Sequence, residues 1–433
     1  MIKILSLFLF VFLFTSCSFN KSSKFWTSET LEKLEEKKFE KIFDNQKALD
    51  KEFNTNINLN LSLNIKKSNL FKELTNNDGR VKFDGLLKKS SKYKFSKIKN
   101  FYQHEPVISF NKNNVIFFDN KGTVLQFDEK SKLIWKKNYY TKSEKKLDPI
   151  LQFANNNKYL VVADNLTKYY LLDLRNGNLV WSKRNLAPFN SQIKIYKDRF
   201  FIIDFTNTLR CISLKNGEEI WNFQTEESFI RSQKKLSMAI VGEVIYFNNS
   251  LGDISAVNIN DGGLLWQLPT TSNIIVESAF SLETSDIVAD ENNLFFSNNK
   301  NQFFSIDIKS GNFNWINKVN SNIKPTLVGN FLITVSLEGY LIVIDKITGN
   351  IIKVTDVFNN FNPKKRDKIF PEGFVVGLKN IYLSTNTGRL LVIDIKSGKT
   401  ISTLKVDNEK ISRPFILNKN LYLVKDNAII KLN

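Results

Sequence analysis

One skeleton recurs along this chain and restricts what it can fold into. "LLDLRNGNLVWS" (171–182) reads as an apolar pair, an Asp, a turn, a Gly and, four residues after the Gly, a Trp. Aligned on that pattern, the Trp position falls at Trp135, Trp181, Trp221, Trp266 and Trp315. It continues at Lys353 and Ser402, where the Trp is lost. The spacings are 46, 40, 45, 49, 38 and 49 residues, a period that signals one repetitive domain rather than two or three separate ones. The Gly stands at Gly177, Gly217, Gly262, Gly311, Gly349 and Gly398, with an Asp, Asn or Ser four residues before it. The first copy is one residue short, with Asp128, Lys132 and then Trp135.

Each piece of the skeleton has a physical reason. Runs such as "YLIVID" (340–345) and "RLLVID" (389–394) are short, apolar and β-branched, so they predict buried strands. Asp or Asn bonds its own backbone two residues on and begins a turn, and Gly accepts the positive φ of a tight return. The Trp opens the next strand, and burying some 200 Å² of it is worth roughly 5 kcal/mol. Upstream of each unit comes a further strand pair, as in "FLITVSLEGYLIVID" with a turn at Glu338-Gly339. Four short strands with one turn-then-Trp per unit describe the blade of an all-β propeller.

The last copy, "AIIKLN" (428–433), stops where its turn and Trp should follow. The C-terminal unit thus supplies three strands, and its open edge needs cover. "KYKFSKI" (92–98) lies about forty residues before Trp135, where an earlier fourth strand belongs. It carries Phe95 near the Trp position and is expected to complete the last blade. Seven whole units and one split unit make eight four-stranded blades. The resulting division is a signal segment 1–16, a linker 17–91 and a propeller 92–433.

The start, "MIKILSLFLFVFLFTSC", has a basic residue, an apolar stretch of roughly a dozen and small residues before Cys17. That pattern describes a secretory signal, too short for a membrane span of about twenty apolar residues. Phe14-Thr15-Ser16-Cys17 resembles the lipobox of bacterial lipoproteins, with Phe14 where an aliphatic residue is usual. The resemblance implies lipidation of Cys17, and Ser18 in place of a retaining Asp implies the outer membrane, periplasmic face. A non-lipidated signal with a chance Cys is the alternative. Within the linker, Leu31, Leu34, Ile42, Leu49 and Phe53 have helical spacing. "NTNINLNLSLNI" (54–65) alternates like a strand packed on the outside of a blade, with pairing to a partner's sheet edge as the alternative. "NPKKRDKIFPEG" (362–373) inserts a basic, Pro-bounded loop into a blade, read as a solvated insertion rather than a binding element.

The net charge of +19 is spread along the chain, which with export argues against nucleic acid as partner. With Cys17 committed to lipid, Cys211 is alone and no disulfide forms within the mature chain. His104 is the only histidine, which removes His-rich metal sites and Ser-His-Asp triads with spare partners. No phosphate-binding or dinucleotide fingerprint appears, and the repeated Asp residues are explained by turns. No catalytic residue, cofactor or metal is assigned.

The unit "LLDLRNGNLVW" resembles the tryptophan-docking repeat of pyrroloquinoline-quinone (PQQ) propellers. Within that superfamily the lipobox, length, eight blades and split closure make the chain similar to the BamB family, over roughly residues 92–433. The resemblance implies a non-enzymatic lipoprotein of the outer-membrane β-barrel assembly machinery that docks on the POTRA domains of a BamA-like subunit. It further implies a monomeric propeller within a complex. It places partner contacts at Ile230 and Arg231 in "SFIRS" (228–232) and at Glu283 in "SLETSD", and assigns the five Trp to docking between blades. The alternative for the first pair has Ile230 packed in its own blade and Arg231 solvated. A PQQ-dependent oxidoreductase, or a propeller lipoprotein binding another envelope partner, remain the alternative functions. Loss of the Trp at Lys353 and Ser402 predicts looser packing there.

Overall fold

The computed structural model describes residues 51–61, 65–66, 74–226, 234–270 and 282–433, all within one unit spanning 48–433. The expectations for the signal segment 1–16, Cys17, most of the charged stretch 27–53, Ile230 and Arg231 lie outside the described residues.

The apolar runs of the repeat pair antiparallel with their neighbours in sequence. Seven blades of four sequential strands result, at 109–137, 151–184, 194–224, 238–268, 288–317, 326–356 and 371–405. The eighth combines Phe415–Leu417, Asn420–Lys425 and Ala428–Leu432 with an N-terminal strand, Lys89–Lys94. The chain is an all-β, eight-bladed propeller whose ring is closed by that strand. First strands touch the first strands of neighbouring blades and line the axis. Fourth strands form the rim, where exposed and half-buried residues alternate, as in Glu219–Gln224. Second and third strands, such as Arg199–Ile203 and Tyr340–Asp345, are almost wholly buried and pack blade against blade.

The closing strand is shifted from its expected place. Lys89–Lys94 runs antiparallel to Ala428–Leu432 with a bulge between Lys89 and Ser91. The matching bulge in blade 2 lies next to Trp181, so Ser91, not Phe95, occupies the Trp position. Phe95 lies beyond the strand and packs on Phe117, ring centroids 4.9 Å apart. The aromatic contact comes instead from Tyr93, which is fully buried and donates its hydroxyl to the carbonyl of Glu129 at 3.1 Å. Glu129 follows the turn residue Asp128 as Leu174 follows Asp173, and the Leu174 carbonyl accepts from Trp135 Nε1. Tyr93 therefore makes from a different position the bond that a Trp makes elsewhere. Lys88 and Asn433 extend the pairing, exchanging backbone bonds of 3.0 and 3.1 Å.

Two other expectations are corrected. Of the expected strand 54–65, residues 54–61 lie against blade 6 with only the antiparallel bridge of Phe53 to Val354 beside them, while Ile65 pairs in parallel with Arg80. Pairing ends at Asn54, whose φ of 51° turns the chain while its side chain bonds the Ile352 carbonyl at 3.1 Å. Leu59 then buries between blades 6 and 7, its N–H on the Lys396 carbonyl. The basic loop joins blades 6 and 7 rather than interrupting either, and holds one helical turn, Pro363–Arg366, capped by Asn362.

Candidate docking face and the filled axis

Each Trp of blades 1 to 5 lies against the turn of the following blade. At Gly217, φ is +71° and an added Cβ would stand 2.7 Å from Cε3 of Trp181, so only glycine lets the ring seat. Trp181 Nε1 then donates to Leu214 O at 2.9 Å, Trp266 to Ile308 O at 3.0 Å and Trp315 to Lys346 O at 3.1 Å. Trp221 lies on Gly262 in the same way, but its Nε1 meets no acceptor among the described residues.

The loops that join one blade's fourth strand to the next blade's first leave from the opposite ends of the strands, and all open on one face. Two such loops carry the expected partner contacts. Ile230 and Arg231 are outside the described residues, but the stem of their loop, Lys234, is not. Lys234 donates to the backbone carbonyl of Asn322 and pairs with Glu105 at 3.5 Å. Glu283, the stem of the next loop, is half-buried and accepts from the Asn322 side chain. Its own N–H goes to Asn299 Oδ1 at 3.0 Å. Asn322, in the connection between blades 5 and 6, thus ties both stems together. Sequence reasoning missed Lys234 and Asn322, because contacts across 88 and 39 residues leave no periodic signal.

The same face leads to the axis, and the axis is filled by the chain itself. Residues 74–83 cross the first strands of blades 4 to 7 in turn. Leu74 and Thr75 carbonyls accept from Ile240 and Ala289 at 2.9 Å each. The Asn76 side chain donates to the carbonyls of Met238 and Ile287 at 2.8 Å each and accepts from Lys194 of blade 3. Asp78 meets Lys324 of blade 6 at 2.8 Å, and Arg80 pairs in parallel with Val376 of blade 7 and donates to Gly377 O at 3.1 Å. Nothing in the composition of "LTNNDGRV" marked it as an axial segment.

Above it lies a cavity of about 40 Å³, lined by Glu105, Asp286, Glu372, Lys235, Lys410 and Arg413 among others. Lys410 meets Glu372 at 2.8 Å and Arg413 meets Asp286 at 3.7 Å. Burial drives the Lys235 ammonium down to about 8 against the pull of Glu105 and Asp286, and burial raises the Glu372 carboxyl. His104 also lines this cavity, its imidazole lowered by burial and then by Lys410. Five cations, Lys234 and Lys324 included, face three carboxylates there, and the space left holds no more than a few waters. A second cavity of about 250 Å³ lies against Leu74 and the first strands of blades 1 to 3, lined by apolar side chains together with Ser109, Asn155, Asn156, Lys194 and Lys197, and by no carboxylate. No trio of His, Cys, Asp or Glu side chains among the described residues is placed to hold a metal ion. Cys211 is buried in the third strand of blade 3, its thiol pushed up to about 12 by that burial.

Residues 120–355 match the family model of the outer membrane protein assembly factor BamB. Among solved structures, BamB from Moraxella catarrhalis is similar with a TM-score of 0.65 at 15% identity, over 80% of this chain and 100% of that one. The quinohemoprotein alcohol dehydrogenase from Comamonas testosteroni has a TM-score of 0.60 at 10% identity, over 82% of this chain and 78% of that one. The computationally designed Ika8 protein gives 0.57 at 12% identity, over 78% and 99%. These likenesses establish the propeller. No curated protein sequence matches the chain significantly.

Proposed function

The chain belongs to the BamB family of outer membrane protein assembly factors, and from that premise we propose that it is a non-enzymatic lipoprotein scaffold that aids assembly and insertion of β-barrel proteins. In this reading Cys17 carries the lipid and the propeller faces the periplasm from the inner leaflet of the outer membrane. Its partner is the POTRA region of a BamA-like barrel subunit, and the contacts come from Ile230, Arg231 and Glu283. The observation that supports this face is the convergence of Lys234 and Glu283 on Asn322. The stems of the two loops meet on one residue, and an apolar residue beside an Arg is the composition of an interface hot spot.

Likeness to a quinohemoprotein raises the second reading, an oxidoreductase. Ligand sites have volumes of roughly 300–1,000 Å³, whereas the cavity beside Asp286 and Glu372 has about 40 Å³ and the one beside Leu74 about 250 Å³. The larger cavity has no carboxylate to ligate a cation beside a quinone. The described residues do not fit such a cofactor. Quinone-dependent dye reduction by the purified chain would restore the reading.

The test titrates the mature chain, with Cys17 replaced by Ser, against the isolated periplasmic domains of the same organism's BamA. Saturable binding weakened about tenfold or more by Ile230→Ala with Arg231→Ala supports both the function and the loop. Binding indifferent to that pair but weakened by Glu283→Ala moves the contact to the second loop. A folded chain that does not bind at all leaves a propeller lipoprotein with another envelope partner.

A further inference from the structure

The tether and the basic loop meet at one residue on the rim. Asp356 ends the fourth strand of blade 6. Its backbone N–H donates to Glu52 Oε1 at 3.1 Å, and its carboxylate receives Arg366 Nη1 at 2.6 Å. Glu52 and Phe53 are where the N-terminal segment reaches the propeller. Arg366 also bonds the Glu338 carbonyl at 3.1 Å, so the loop is held rather than splayed. Asn386 fixes its far end, donating to Lys368 O at 3.0 Å and accepting from the Phe370 N–H at 2.9 Å. Held this way, Lys364, Lys365 and Lys368 are exposed, as is Asp367 among them, and Phe53 and Phe370 are 49% and 44% exposed.

We propose that this patch rests on an anionic phospholipid surface and sets which edge of the propeller faces the membrane. Lysines over acidic headgroups with aromatic rings at the interface are the chemistry of a peripheral membrane contact. Its place on the chain favours lipid over an acidic protein, because the segment leading back to Cys17 departs from the same spot. Thirty-four residues separate Cys17 from Glu52, a length of chain that spans at most on the order of 100 Å. A lipid attached that far along the chain does not by itself dictate which edge of the propeller meets the membrane. A weak patch held at high effective concentration does. This inference rests on the lipoprotein reading of Cys17 for its geometry, not for the surface chemistry.

The experiment uses the mature chain with Cys17→Ser, so that no lipid contributes, and sedimentation with vesicles. Vesicles of phosphatidylethanolamine with phosphatidylglycerol should carry the chain down, and vesicles of phosphatidylcholine alone should not. Binding should fall as salt is raised. The triple variant Lys364→Ala, Lys365→Ala, Lys368→Ala should weaken it by about a hundredfold, from the contribution of each lysine near an anionic surface. Lys112→Ala, Lys130→Ala, Lys132→Ala removes equal charge from exposed sites on blade 1 and should keep most of the binding. The proposal is overturned by equal losses in both triples, by binding indifferent to phosphatidylglycerol, or by no sedimentation of the unsubstituted chain. Loss of BamA-domain binding in the first triple with no vesicle effect would assign the loop to protein and overturn it too. Lipidation is read separately, from the mass of the membrane-extracted chain, so failure of that reading leaves the vesicle result to stand.

Discussion

Single side chains carry the ring closure and the loop architecture. Tyr93 is the hinge of the closure, with its ring buried and its hydroxyl on Glu129. Tyr93→Phe should cost about 1 kcal/mol, the net worth of one hydrogen bond, and Tyr93→Ala about 3–5 kcal/mol. Urea unfolding of the two variants measures both, and a Tyr93→Phe chain as stable as the native one would show that the hydroxyl contributes nothing. Glu144, between blades 1 and 2, is governed by opposed effects. Burial alone would raise its carboxyl, but bonds from the Thr141 N–H, Lys168 and Arg184 outweigh that and hold it at about 2. The folded value lies below the ordinary 4.5, so the unfolded state takes up the proton first as pH falls. The stabilisation is therefore whole above about 4.5 and declines from there toward 2. Glu144→Gln should cost on the order of 2 kcal/mol at neutral pH, and the gap from the native chain should close on acidification through that window. A gap independent of pH would mean that packing, not charge, is what the substitution removes.

Among the elements, the N-terminal segment behaves differently from what its sequence pattern suggests. Lys353 stands where a docking Trp is missing, yet it is 1% exposed. Its ammonium donates to the carbonyls of Thr55 and Ile57 at 3.0 and 2.6 Å, and burial lowers its pKa despite Asp394 and Glu52. Residues 53–59 thus cover the seam between blades 6 and 7 that a Trp covers elsewhere. The looser packing expected from the sequence at 353 belongs to a chain without that cover. Removal of residues up to 61 should speed amide exchange in Ile351–Asp356 and Thr400–Lys405 at least tenfold while leaving Thr208–Gln224 unchanged. Equal exchange with and without the segment would show that Lys353 needs no cover. The turn-then-Trp period made the blades legible, because each copy obeys local rules: Asp to turn, Gly for positive φ, Trp to bury. It did not reveal what fills a seam once the Trp is gone, since Lys353 reads as a surface residue until its two carbonyl partners, some 300 residues away, are known. Placing Phe95 at the Trp position failed for a related reason. The bulge that sets the register depends on pairing with the C-terminal strand, and no local pattern encodes it.

Across the whole ring, the three seams without a docking Trp are those between blades 6 and 7, 7 and 8, and 8 and 1. Residues 53–59 cover the first, Phe83 packs edge-on against Tyr382 at 4.9 Å in the second, and Tyr93 closes the third. Between the first and second of these contacts the same segment runs through the axis, so decay of the repeat in the C-terminal blades and ordering of the N-terminal segment are two sides of one arrangement. Asn76 is its hub, bonding blades 3, 4 and 5 at once. Asn76→Ala leaves the Met238 and Ile287 carbonyls without that donor and should cost on the order of 3 kcal/mol. Cys211 can report whether the loss is local, because it is buried in blade 3 and is the only thiol once Cys17 is replaced. If the axial segment staples the blades, Asn76→Ala should speed labelling of Cys211 by a thiol reagent by about a hundredfold, the factor that such a cost implies for an opening equilibrium. Lys112→Ala, in an exposed turn of blade 1, should leave it unchanged. Lower overall stability with unaltered labelling would mean that residues 74–83 add cohesion without holding blade 3, and the ring would then owe its integrity to the rim contacts alone.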